Sequence, residues 1–177
     1  MRKKYVSDYV LEERADAETG RIRRVPVYRG KHYVFCRQGR ELKKTRLLFA
    51  CLTALCIMVF LSALTVNAPV GHRWYVMLPM ACMVFPLFFQ AESCALLLIT
   101  KDKMERSTRD KIEQRTVVTS VFLAFFSFFS LAGHAVSMVL YQETLRDAVY
   151  LGSALMILAS SLVMIRARDS LKTEEIP

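Results

Sequence analysis

The chain has 177 residues, 54% of them apolar, and its 25 Lys and Arg against 16 Asp and Glu leave a formal charge of +9. The apolar residues gather in four long blocks with the charges almost wholly between them, which excludes a conventional aqueous core and places the chain in the integral membrane class. Six Gly and five Pro are too few for a collagen-like or linker-like chain, and the five Cys lack the framework spacing of a disulfide-stapled domain.

Residues 1–46 form a separate basic segment with 14 Lys and Arg against six Asp and Glu, a net of +8. Residues 5–10 and 21–28 are rich in β-branched and aromatic side chains, and residues 15–20 between them read as a turn ending in Gly20. A second turn at Arg29-Gly30-Lys31 leads into a third strand-like run, 32–36, so the expected structure is a short antiparallel β-meander. Such a meander, carrying Pro26, buries little area alone and is expected to lean on the membrane surface, a partner or the helix ends. Arg21, Arg23, Arg24, Lys43, Lys44 and Arg46 are the candidate contacts to anionic lipid headgroups, each Lys or Arg near such a leaflet contributing about 1 kcal/mol. Nucleic acid is not the expected partner of Arg21-Ile22-Arg23-Arg24, because a tethered basic segment meets headgroups first.

The four blocks, 47–66, 74–99, 116–140 and 146–165, each reach the roughly 20 residues a helix needs to cross about 30 Å of hydrocarbon. Unpaired backbone amides are costly there, so each block closes its hydrogen bonds as a helix; a barrel would need alternating ten-residue segments instead. The expected fold is thus an all-α, four-transmembrane-helix bundle with a small β-meander before it and a short tail, 166–177, after it. Of the 25 basic residues, 23 fall on one side of this threading and only Arg73 and Arg146 on the other. Both termini and the 100–115 loop are therefore expected in the cytoplasm, in a multi-pass protein of the cell membrane. No cleavable signal peptide is expected, since the first apolar run starts only at Leu47.

The second helix is expected to run past Ile99, with Lys101/Glu105 and Asp102/Arg106 paired at i,i+4. Ser107-Thr108-Arg109-Asp110 suits an N-cap for the third helix, and Thr144 before Asp147 suits one for the fourth.

Inside the spans the polar residues need a reason. Glu92 is the one acidic or basic residue well within a block, about two turns from its cytoplasmic end. Desolvated, it would suit a proton carrier; tied to a cation such as Arg115, it would be a structural pair. Pro79, Cys82, Pro86, Gln90 and Ser93 fall near one stripe of the same helix, which would be a transport path or a shaped packing surface. His134 lies toward the outer end of the third helix, too far along for a direct Glu92 contact, and no second ligand at i+3 or i+4 makes it a metal site. The cysteines form no CxxC, and the Phe residues between 122 and 129 go around their helix, as lipid contact and packing would require. Ala50/Ala54, Gly133/Ser137 and Ala148/Gly152, each four apart, mark close helix contacts.

No HExxH, GxSxG or P-loop pattern is present, so no enzyme activity and no cofactor is expected. The sequence points to an accessory, scaffold or regulatory subunit working with a membrane-protein partner or a second copy of itself. The alternative is a small proton-coupled transporter using Glu92.

Overall fold

The structure, a computed structural model, describes residues 3–15, 22–66, 68–100, 103–141 and 147–176. It is mostly helical. Four helices are long and apolar enough to cross a membrane, Gly39–Thr65, Trp74–Ile99, Arg106–Leu140 and Asp147–Leu171, which fits a multi-pass membrane protein.

Helix α1 (Gly39–Thr65) opens at Gly39, whose φ of +60° suits glycine, and runs several residues before the apolar block starts. The second span is two helices, α2 (Trp74–Cys82) and α3 (Val84–Ile99), joined at Met83. Pro86 has no N–H for the carbonyl of Cys82, so the ladder tightens there. The Met83 amide reaches back only three residues to Met80 (3.1 Å), and the regular spacing resumes with Leu87 to Met83 (3.0 Å). The third span combines α4 (Arg106–Asp110), a π-helical turn (Lys111–Arg115) and α5 (Thr116–Leu140). The fourth is α6 (Asp147–Arg166), followed by a 3-10 turn, Ala167–Leu171.

The spans close into a ring: α1 packs on α3 and α6, and α5 packs on α6, α2 and α3. Phe49, Phe60, Met83, Leu123, Ile157 and Met164 fill its centre, while Phe85, Phe88, Phe125 and Phe128 face outward. Serines and threonines also point inward. Several of these hydroxyls bond their own helix, as Ser120 does to Thr116 O (2.8 Å), Ser153 to Val149 O (2.7 Å) and Ser161 to Ile157 O (2.7 Å). That back-bonding lets a low-dielectric interior hold them without water.

At the end of the bundle where the chain begins and ends, here termed its base, two sheets replace the expected single meander. Strands β1 (Tyr9–Ala15) and β2 (Ile22–Tyr28) form an antiparallel hairpin, in register Tyr9 to Tyr28. The first strand begins later than its side chains suggest, because residues Lys3–Asp8 wind into a 3-10 turn. Glu12 and Glu13, weak strand formers, are held in β1 by Arg29 (2.7 Å) and Arg24 (3.1 Å). Pro26 is tolerated because each strand of a two-stranded ribbon has an unpaired edge.

The third strand, β3 (His32–Phe35), leaves the hairpin altogether. It is the centre of a second sheet, between β4 (Met104–Glu105) and β5 (Thr173–Ile176), both antiparallel to it. The meander is corrected on this point, and so is the second helix, which stops at Ile99 so that Met104 and Glu105 can pair with Tyr33 and His32. The third helix starts at Arg106 without a side-chain cap, not at a Ser107 cap. The segment read as a tail supplies β5 and buries Leu171. The 16–20 turn, Arg21, the Lys101 and Asp102 pairs and the Thr144 cap lie outside the described residues.

Phenols join the hairpin to the third span. Tyr5 donates to Asp110 Oδ2 (2.9 Å), Tyr9 donates to Glu105 Oε2 (2.5 Å), and the Arg106 amide donates to the Tyr28 hydroxyl (3.2 Å). The bond to Glu105 raises the Tyr9 pKa above the usual phenol range, which keeps Tyr9 a donor.

Candidate functional site

Glu92 lies on α3 near the base, facing the π-helical turn of the third span. Arg115 donates to its Oε2 and Lys111 Nζ stands 3.5 Å from its Oε1. A π turn is rare, and it shifts the side chains around the helix from their α-helical positions. Here it presents Lys111 and Arg115 together to one carboxylate. The Arg115 guanidinium also lies 5.3 Å from the centre of the Phe89 ring, so an aromatic face and a carboxylate fix it together. The Glu92 side chain keeps 36% of its surface accessible, against 19% for Arg115.

Two residues deeper along α3, Gln90 is fully buried. Its Nε2 lies 3.2 Å from Met164 Sδ on α6, and its Oε1 accepts from Thr119 on α5. The single Thr119 proton has two further acceptors within reach, the carbonyl oxygens of Arg115 (2.9 Å) and Thr116 (3.1 Å). Gln90 therefore ties three helices. Ser93 is equally buried, and its Oγ has no hydrogen-bond partner among the described residues.

Glu92 and Gln90 are thus brought into one cluster by Lys111, Arg115 and Thr119 of the third span. Arg115 is the cation expected from the sequence; Lys111 and Thr119, four residues to either side of it, were not singled out there. His134 is buried on α5, but roughly 28 Å of helix separates it from Arg115 at 1.5 Å per residue, and the cluster does not include it.

The candidate headgroup contacts divide. Arg24 is exposed and spans the hairpin to Glu13, Lys43 is exposed, and Lys44 pairs with Glu41 (2.9 Å) along α1. Arg23 lies in β2. Arg46 is turned to a different task. Its Nη2 donates to the Thr100 carbonyl (2.6 Å) at the end of α3, and its guanidinium lies 5.8 Å from the centre of the Phe35 ring, bracing α1 against the second sheet.

Compared with known proteins, the chain matches no family model, no curated protein and no solved structure.

Proposed function

We propose that this protein is a non-enzymatic membrane subunit that acts through interactions, as an accessory, scaffold or regulatory member of a membrane complex. It sits in the cell membrane with both termini in the cytoplasm, touches anionic headgroups with its basic base, and associates with another membrane protein or with a second copy of itself. The observation that carries this reading is the setting of Glu92. Two cations hold it, and the neighbouring Gln90 and Ser93 are sealed from solvent. A proton carrier needs the opposite, an unpaired carboxyl on a watered path through the spans.

Glu92→Gln tests it. The amide keeps the shape and accepts from Arg115, so the fold and partner association should survive, with a stability change on the order of 1 kcal/mol for this partly exposed pair. Affinity capture from native membranes should retain the same stoichiometric partner or homo-oligomer. A pH-driven flux in reconstituted vesicles that wild type shows and Glu92→Gln lacks would replace the subunit reading with transport.

The threading has its own test. His72 is exposed at the far end from the base, so an impermeant maleimide added to intact cells should label His72→Cys and spare Cys36. Partial burial and the Glu174 carboxylate raise the Cys36 thiol pKa above its ordinary range. The thiolate is the reacting form, so after permeabilisation Cys36 labelling should rise as the pH is raised. Labelling of Cys36 in sealed cells would invert the topology.

A further inference from the structure

The base holds a cleft of about 680 Å³ between the hairpin and the second sheet. Arg29, Lys31, Lys103 and Arg106 line it, against the carboxylates of Asp8 and Glu175. Two of the four cations are already committed, Arg29 to Glu12 (2.7 Å) and Lys31 to Glu175 (2.6 Å). Among the described residues Lys103 and Arg106 have no ion-pair partner, although the Arg106 main chain is fixed by the Tyr28 hydroxyl. A Lys with no ion pair among the described residues, beside an Arg on a positioned backbone, is a donor set that recognises a phosphate group.

Asp8 supplies a second kind of recognition. Its main-chain oxygen accepts from the Arg29 amide (2.8 Å), which holds the residue at the cleft wall. Its Oδ1 has only a long contact from Ser7 (3.5 Å), and its Oδ2 is buried with no hydrogen-bond partner. A buried carboxylate oxygen without a donor is costly, and Asp8 lines the cleft, where an arriving donor can meet its carboxylate. Gly30 keeps the floor bare, since a Cβ there would fall 2.9 Å from the Asp8 Cβ and 2.6 Å from the Tyr28 ring. No residue of this cleft was among the candidates read from the sequence.

We propose that the cleft binds a phosphorylated polyol, with the phosphate on Lys103 and Arg106 and a hydroxyl donating to Asp8. Phosphate on a polyol reaches this place from two sources, a lipid headgroup at the membrane surface or a free sugar phosphate. The proposal goes beyond the subunit reading and does not depend on it.

The test uses the full-length protein in nanodiscs. One arm dopes phosphatidylcholine discs with phosphatidylinositol phosphate; the other leaves the discs neutral and titrates soluble inositol phosphate or inorganic phosphate, with binding followed by calorimetry or by amide shifts in the cleft. Binding in either arm, weakened about tenfold or more by Lys103→Gln with Arg106→Gln and unchanged by Lys172→Gln, at an exposed Lys already paired with Asp169, supports the site, and the arm that responds identifies the source. Asp8→Ala should weaken inositol phosphate while strengthening inorganic phosphate, because it removes an acceptor for the hydroxyl and a negative charge beside the phosphate. No binding in either arm, or binding that the double substitution leaves intact, would overturn it.

Discussion

Gly133→Ala should lower the melting temperature of the purified protein clearly, whereas Gly152→Ala should leave it unchanged or raise it. The two glycines look alike in the sequence, each in a small-residue pair on a membrane helix. In the structure a Cβ on Gly133 would lie 2.7 Å from the carbonyl oxygen of Tyr75, a backbone atom that cannot rotate away. Pro79 is why that carbonyl is there to be met: it has no N–H to offer the residue four positions earlier, so the Tyr75 oxygen is left to the neighbouring helix. The methyl group must push α2 from α5, and overpacking of this kind costs about 1–3 kcal/mol. Around Gly152 no described atom lies within 4 Å of the added Cβ. The substitution there gains up to about 1 kcal/mol of helix propensity. Thermal unfolding of both variants in one detergent decides it, and equal melting temperatures would refute the close contact.

Phe35→Ala should open the base of the protein while the spans remain helical. Phe35 is 2% exposed and packs in one cluster with Tyr33, Leu42, Met104, Ile112 and Leu171, drawn from four separate stretches of the chain. Truncating a buried Phe costs about 3–5 kcal/mol. The second sheet has little to set against that loss, since β4 contributes two residues and β5 four. The spans keep their backbone bonds within themselves. Limited trypsin digestion should therefore gain cuts at Lys31 and Arg37 while helical circular dichroism is retained. Phe128→Ala, at an outward-facing position, should change neither. Protection from trypsin equal to wild type in Phe35→Ala would show that the module does not rest on this side chain.

The partner of Glu92 was legible in outline, since a carboxylate two turns from a helix end lies within reach of a basic loop, and Arg115 was the named candidate. Lys111 and Thr119 were missed because their roles depend on where a π turn falls. Arg46 was read as a headgroup contact from its charge and place; the structure gives it the Thr100 carbonyl, because the end of α3 stops beside it and leaves an oxygen to satisfy.

The sequence by itself determined the four spans, because in hydrocarbon a run of some twenty apolar residues has only the helix in which to close its backbone bonds. It also determined which loops carry the positive charge. Tertiary structure decided where the third strand of the base pairs. Strand pairing is a matter of which edges meet in space: β3 could pair with the neighbouring hairpin or with segments about 70 and 140 residues away, and no local pattern distinguishes them. The folded bundle does, by carrying residues 104–105 and 173–176 back to the same end as residues 32–35 and offering β3 two edges there, with Phe35 and Leu171 buried together as the reason to use them.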